Sequence, residues 1–200
     1  MAYILGALIG YLFGCINMAN IISKSRGINI KKVGSNNAGA SNVFISVGKA
    51  YGVAVGAFDI LKAFCAAELV YILFSNNLMA GVIAGSMAVM GHIFPFWMNF
   101  NGGKGLAPFM GLVLFYDWKV FLAFVAVIIV LTLVTDFIAV GALTVTALMP
   151  FYAIIIKNEY WIASVFIIVA AVMWYKHREN IGRMKEGTEI GFLRKNKVRK

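Results

Sequence analysis

A run of three glycines and one lysine, Gly102-Gly103-Lys104-Gly105, has the residue types expected of a loop that holds an anion. Glycine lacks a Cβ atom, so its backbone N–H groups can approach a phosphate closely, and the Lys104 ammonium supplies positive charge. The run is not a nucleotide-binding P-loop, because that motif needs an earlier glycine and a Ser or Thr after the lysine. A glycine-rich turn between two helices explains the run equally well.

A second polar segment, residues 33–42, is rich in small and amide side chains beside an apolar stretch. Its hydroxyl and amide groups can donate hydrogen bonds to an anion, and Gly39 leaves the backbone free to wrap around it. The candidate donors are Ser35, Asn36, Asn37, Ser41 and Asn42. The same residues fit a capped helix entry, with Ser41 or Asn42 near the N-cap, and the two interpretations are compatible.

A third polar segment, residues 175–180, continues the last apolar stretch into charged sequence. If the helix continues through it, His177 and Asn180 lie three residues apart on one face. An imidazole and an amide placed together in this way can orient a polar substrate. The alternative is an interfacial charged cap that ends a membrane span.

Two further polar groups lie inside apolar stretches. Asp59 and Lys62 are three residues apart, which favours a neutralising structural pair, because an unpaired charge at membrane depth is costly. His92 precedes Pro95, which should end its helix, and we interpret this histidine as a hydrogen-bonded packing residue rather than a catalyst.

The sequence contains no obvious protein base or nucleophile. It has no HExxH motif, no Ser-His-Asp arrangement with evident partners and no paired carboxylates, and its two cysteines stand far from any cluster with metal-ligand spacing. A reaction in this protein is therefore expected to depend on positioning, on anion stabilisation and on a base carried by the substrate, without a metal.

The composition is that of an integral membrane protein. Hydrophobic residues make up 62% of the 200 and charged residues 13%, whereas soluble chains are roughly 45–50% apolar and about 25% charged. The mean hydropathy of +0.85 agrees. The formal net charge of +10 could indicate nucleic acid, but most cations stand beside apolar spans, so we assign it to topology and to anionic lipid.

Seven apolar runs predict an all-α bundle of about seven transmembrane helices. The runs are 3–22, 51–74, 78–98, 106–116, 118–134, 137–156 and 160–175, of which 106–116 is too short to cross the bilayer as a straight helix. Positive charge concentrates in alternate connections, which predicts an external N-terminus and a cytoplasmic C-terminus. All three polar segments then face the cytoplasm. The predicted domains are a transmembrane domain over 1–176 and a basic tail over 177–200.

The polar segments resemble, in order, three motifs of the bacterial PlsY family of membrane acyltransferases. Members carry a pattern like G-S-G-N-x-G-A-T-N-x-x-R, then G-H-x-x-P with F-K-G-G-K-G-x-A-T, then H-R-x-N-I-x-R followed by G-x-E. This chain matches them at residues 34–42, at 91–95 with 102–105, and at 177–183 with 187–189. Three motifs in order, over nearly the whole chain, make a specific match.

The resemblance implies an enzyme that moves an acyl group from acyl phosphate to the 1-hydroxyl of glycerol 3-phosphate, giving lysophosphatidate for phospholipid synthesis at the bacterial inner membrane. It implies no cofactor. It also implies no protein base, because the phosphate of the donor takes the hydroxyl proton. The partners are both substrates and membrane lipid, with a soluble enzyme that produces acyl phosphate as a further candidate. The implied catalytic residues are Ser35, Lys104, His177 and Asn180, and the implied substrate-binding residues are Asn37, Gly39, Asn42, Gly102, Gly103 and Gly105.

The chain departs from the family pattern at four positions. Ile45 stands in place of an arginine and Asn101 in place of a lysine, while Asn36 replaces a glycine and Pro108 a small hydroxyl residue. Either another cation compensates, for which the candidates are Lys49, Arg178 and Arg183, or the activity is altered. The alternative function is a membrane protein that binds or carries phosphorylated small molecules without chemistry.

Overall fold

The computed structural model describes residues 1–192, and within them every regular element is a helix. This confirms the all-α class. Residues 193–200, the last part of the predicted tail, lie outside the described residues. The helices are α1 (Ala2–Cys15), α2 (Met18–Ser25), α3 (Ala40–Ser46), α4 (Lys49–Leu73), α5 (Leu78–Ile93), α6 (Leu106–Tyr116), α7 (Trp118–Thr135), α8 (Ile138–Ile155) and α9 (Tyr160–Lys185), with 3₁₀ turns at Ile30–Lys32 and Phe96–Met98.

Five helical stretches within residues 1–192 are long and apolar enough to cross a membrane: Ala2–Ser25, Leu78–Met98, Trp118–Thr135, Ile138–Ile155 and Tyr160–Lys185. Two more of the predicted spans correspond to α4 and α6. Helix α4 has 25 residues and so a length of roughly 37 Å, but it includes both Asp59 and Lys62. Helix α6 has only 11 residues, as its short apolar run predicted.

The predicted first span, 3–22, is interrupted in the structure between α1 and α2. The Asn17 side chain accepts a hydrogen bond from the Asn20 N–H at 2.8 Å and so caps the start of α2. Its amide nitrogen also donates to the Ala38 carbonyl at 3.2 Å, which ties the break to the polar segment 33–42. The sequence prediction missed this break because Asn17 and Asn20 are two isolated polar residues within an otherwise apolar run.

The structure forms two compact units, Met1–Trp118 and Lys119–Lys200. In the first unit, α1 packs along α5, and α4 packs against α5 and α6. The approach of α1 to α5 depends on small residues: a Cβ atom at Gly10 would overlap the Ala84 carbonyl, and one at Gly14 the Ala88 carbonyl. Such seams let membrane helices gain van der Waals contact that larger side chains prevent.

In the second unit, α8 and α9 pack as neighbours joined by a short turn. The Phe192 N–H donates to the carbonyl of Asp136 at 2.8 Å, so the segment after α9 returns to the turn between α7 and α8. Helix α9 continues to Lys185, through the first nine residues of the predicted tail. The domain boundary at 176 stays a prediction.

The glycine seam between α1 and α5 generates a stability prediction. Gly14→Leu should force the two helices apart and lower the free energy of unfolding by about 1–3 kcal/mol, the usual cost of overpacking. Thermal unfolding in detergent measures this. The control is Gly182→Ala in α9, where a Cβ atom meets nothing within 4 Å, so stability should stay equal or rise slightly. Equal melting temperatures for Gly14→Leu and wild type would contradict the seam.

Candidate functional site

The polar segment 33–42 is organised around the side chain of Asn42, which is only 1% exposed. Its amide nitrogen donates to three main-chain carbonyls at 3.1, 3.0 and 3.0 Å, those of Ile30, Val33 and Asn37. Its oxygen accepts the Ser35 N–H and the Ser46 hydroxyl, both at 3.1 Å. Both hydrogens and both lone pairs of the amide are therefore used inside the protein. The geometry favours a positioning role for Asn42 over the substrate contact expected from its motif.

Two residues of this segment have left-handed backbone conformations. Gly34 has φ +56°, and a Cβ atom there would overlap the Asn42 side-chain oxygen, so only glycine fits. Asn36 has φ +55°. Asparagine is among the non-glycine residues that best tolerate this region. The replacement of the family's glycine by Asn36 is thus compatible with the backbone.

The Asn42 side chain and the groups hydrogen-bonded to it are here called the Asn42 hub. The predicted site residues of this segment lie around it. Ser35 and Asn37 are half-buried, and the Ser35 hydroxyl makes no hydrogen bond among residues 1–192. Gly39 is buried at the start of α3, where its N–H donates to the Asn37 carbonyl at 3.1 Å. Ser35 and Asn37 therefore offer side-chain donors at a partly open surface, whereas Gly39 serves the backbone turn.

The glycine loop, Gly102–Gly105, uses its first two amides internally. The Gly102 N–H donates to the Ile93 carbonyl at 2.9 Å and the Gly103 N–H to the His92 carbonyl at 3.0 Å. These two N–H groups are not available to a phosphate, contrary to the expectation that they cradle an anion. A Cβ atom at Gly103 would overlap the His92 ring, so glycine is needed there for close packing. Gly105 has φ +94° and precedes α6.

Lys31 joins the glycine loop to the segment next to the Asn42 hub. Its ammonium donates to the Asn101 side-chain oxygen and to the Gly102 carbonyl, both at 2.9 Å. The first two polar segments therefore lie together, as the sequence predicted. Sequence reasoning did not single out Lys31, because one lysine among several in a basic connection carries no distinguishing signal.

A buried ionic cluster lies beneath the glycine loop. The Lys62 ammonium lies 2.6 Å from an Asp59 oxygen, 3.1 Å from His92 Nδ1 and 2.8 Å from the Ile16 carbonyl oxygen. All three side chains are at most 4% exposed. The predicted Asp59–Lys62 pair is thus confirmed, and His92 joins it. Since the Ile16 carbonyl ends α1, the lysine also caps that helix.

The third polar segment, in the second unit, forms its own network at the end of α9. His177 Nδ1 lies 2.8 Å from the Met173 carbonyl oxygen, and the Asn180 amide donates to Glu189. The Arg183 Nε lies 2.6 Å from the other Glu189 oxygen. His177 and Asn180 are both buried and share one helix face, as the spacing predicted. The sequence indicated Glu189 only through its motif.

Two of the cations proposed to compensate for Ile45 have partners of their own. Arg183 is paired with Glu189, and the Arg178 guanidinium lies 4.0 Å from the Tyr175 ring centroid. Lys49 is exposed at the start of α4. Ile45 itself is 47% exposed on α3.

Known proteins are similar to this chain over nearly its whole length. A family model described as glycerol-3-phosphate acyltransferase matches residues 4–187. The chain is 37% identical to glycerol-3-phosphate acyltransferase 1 of Oceanobacillus iheyensis, over 96% of this chain and 97% of that protein. It is 35% identical to the glycerol-3-phosphate acyltransferase of Rhizobium meliloti, over 90% and 87% of the two chains.

Two crystal structures of PlsY, an integral membrane glycerol 3-phosphate acyltransferase, have a similar fold. The glycerol 3-phosphate form superposes with a TM-score of 0.89 at 30% identity, over 96% of each chain. The lysophosphatidic acid form has a TM-score of 0.86 at 29% identity, over 96% of this chain and 95% of that one.

The buried cluster predicts a large effect of Lys62→Met. The change leaves the Asp59 charge buried without its cation, and removing one partner of a buried ion pair costs about 3–5 kcal/mol of unfolding free energy. Adding Asp59→Asn should recover part of that loss, because the uncompensated charge is removed. Lys49→Met, at an exposed lysine of the same helix, is the control in a detergent unfolding assay. A Lys62→Met protein as stable as the control would show that the cluster contributes little.

Proposed function

The chain belongs to the glycerol-3-phosphate acyltransferase family, and on this basis we propose that it transfers an acyl group from acyl phosphate to the 1-hydroxyl of glycerol 3-phosphate. The products are lysophosphatidate and inorganic phosphate. The observation that carries the proposal is the junction made by Lys31, which brings the Ser35–Asn42 segment and the Lys104 loop to one place. The two similar PlsY structures are a glycerol 3-phosphate form and a lysophosphatidic acid form, which correspond to the acceptor and the product of this reaction.

In the proposed reaction the 1-hydroxyl oxygen of glycerol 3-phosphate attacks the acyl carbonyl carbon. The bond from that carbon to the phosphate oxygen breaks, and the departing phosphate takes the hydroxyl proton, so no protein base is required. The Lys104 ammonium holds the phosphate of the donor, while Ser35 and Asn37 hold the acceptor. The family resemblance assigns His177 and Asn180 to the binding of phosphate groups as well. Holding both reactants in line can contribute a large part of the rate acceleration.

Two of the described carboxylates, Asp59 and Glu189, are engaged inside the protein and are therefore poor candidates for a protein base. Asp59 is buried against Lys62, and Glu189 is engaged by both Arg183 and Asn180. Each of these carboxylates therefore already balances an internal cation. A carboxylate that is already engaged by internal partners is poorly placed to take a hydroxyl proton, which favours the phosphate of the donor as the proton acceptor.

The protein is a multi-pass membrane protein, and we propose seven spans with the site at the cytoplasmic leaflet of the bacterial inner membrane. Helix α4 can serve as a span because Asp59 and Lys62 neutralise each other inside the helix packing. Helix α6 and the glycine loop form the short span. The excess of lysine and arginine in alternate connections supports a cytoplasmic C-terminus and an external N-terminus. A soluble enzyme that produces acyl phosphate is the proposed donor partner.

The proposed activity predicts a dependence on Lys104. Purified protein given acyl phosphate and glycerol 3-phosphate should release lysophosphatidate and phosphate in equal amounts. Lys104→Met should lower kcat/KM roughly 10- to 100-fold, the worth of a lost charge-assisted hydrogen bond. Lys24→Met, at an exposed lysine of α2, should retain wild-type rates. Flux of a phosphorylated alcohol across sealed vesicles, without product at high protein concentration, would favour the carrier alternative.

A second prediction concerns Ile45, where the family pattern has arginine. Because this side chain is half exposed, an arginine fits there and adds a cation on α3, the helix that follows the Ser35–Asn37 segment. Ile45→Arg should lower the KM for glycerol 3-phosphate up to about tenfold and leave kcat nearly unchanged, as expected for added ground-state binding. Ile45→Gln is the uncharged control. A large rise in kcat would instead show that an arginine at this position stabilises the transition state.

A further inference from the structure

Lys31 connects two segments that are 70 residues apart in sequence. Its ammonium donates to the Asn101 side-chain oxygen, next to the glycine loop, and to the Gly102 carbonyl within the loop, both at 2.9 Å. Hydrogen bonds from an ammonium are charge-assisted and stronger than those between neutral groups. The two hydrogen bonds from the Lys31 ammonium, here called the tie, are therefore among the stronger polar contacts between the two segments.

The backbone around Lys31 is held on its other side by the Asn42 hub. The Lys31 N–H donates to the Asn29 side-chain oxygen at 3.1 Å, and the Asn42 amide donates to the carbonyl of the neighbouring, fully buried Ile30 at 3.1 Å. Lys31 thus starts from a fixed backbone, and only its side chain has to reach the loop. A continuous set of contacts runs from Asn42 through Lys31 to Gly102.

The main chain of Gly102 is held on both sides. Its N–H donates to the Ile93 carbonyl at 2.9 Å, and its carbonyl accepts the Lys31 ammonium. Lys104 follows two residues later, so the direction of the chain that carries it depends on how Gly102 is held. Without Lys31, the Gly102 carbonyl and the Asn101 side chain lose this donor, and a glycine-rich backbone has wide conformational freedom to move.

We propose that Lys31 is a positioning residue that fixes the glycine loop, and with it Lys104, relative to the Ser35–Asn37 segment. This inference rests on the proposed function and adds the element that sets the spacing between the donor and acceptor subsites. A spacing error of about 1 Å between reactants can cost roughly 100-fold in rate. Loss of the tie therefore lowers kcat, whereas loss of a mere attracting charge would raise the KM of both anionic substrates.

The chain offers a matched control in the next residue. Lys32 has the same side chain, lies in the same 3₁₀ turn and is exposed. Lys31→Met should lower kcat about 10- to 100-fold while the KM for glycerol 3-phosphate changes less than about threefold. Lys32→Met should keep wild-type kinetics. Lys31→Arg should recover most of kcat, because a guanidinium can also donate to two oxygens.

A double-mutant cycle tests whether Lys31 acts through the loop. Asn101→Ala removes one of the two acceptors, so it should lower kcat less than Lys31→Met does. The double variant should be no slower than Lys31→Met, because the two residues share one interaction. A fully additive loss, or a Lys31→Met defect that appears only in KM, would overturn the positioning role and leave Lys31 as a charge.

Hydrogen exchange gives a reading that does not depend on turnover. In Lys31→Met the amides of Gly102 and Gly103 should exchange faster than in wild type and Lys32→Met, while the α4 amides keep their protection. If wild type makes no lysophosphatidate yet this change occurs, the proposed function fails and the tie stands. If wild type turns over and neither exchange nor kcat responds to Lys31→Met, the proposal is overturned.

Discussion

The ionic contact between Lys62 and Asp59 is the constraint on which the rest of the first unit depends. A charge in a membrane interior is tolerated when it is paired and hydrogen-bonded, and Lys62 meets this condition with Asp59 on its own helix, His92 on α5 and the carbonyl that ends α1. Lys62 therefore joins the end of α1, helix α4 and helix α5 at one point. Because the His92 carbonyl also accepts the Gly103 N–H, the same cluster supports the glycine loop.

The polar segments follow a second rule, which is that backbone groups near the hydrocarbon must find partners inside the protein. One amide side chain, Asn42, satisfies three carbonyls and one N–H of an irregular loop. The glycine loop uses its Gly102 and Gly103 amides in the same way. These internal hydrogen bonds hold much of the backbone of both segments and leave side chains such as Ser35 and Lys104 for chemistry, which suits a reaction that depends on positioning.

The structure accounts for the departures from the family pattern at positions 36, 101 and 108. Asn36 occupies a left-handed position that asparagine tolerates, and Pro108 lies in the first turn of α6, where a missing N–H breaks no helical hydrogen bond. Asn101 accepts a hydrogen bond from Lys31, so an ammonium still lies beside the loop although position 101 carries none. At Ile45 the structure offers no comparable substitute on α3.

The amino-acid sequence by itself determined the membrane class, the short sixth helix, the three polar segments and the Asp59–Lys62 pair. These features are local: they follow from hydropathy over one span, or from a spacing of three residues on one helix. Tertiary structure decided the break after Cys15, the capping of α1 by Lys62 and the tie from Lys31 to Gly102. It also decided that the Gly102 and Gly103 amides serve the fold. Each of these contacts ends on a main-chain group, and main-chain groups are the same in every residue, so no residue type in the sequence reveals them.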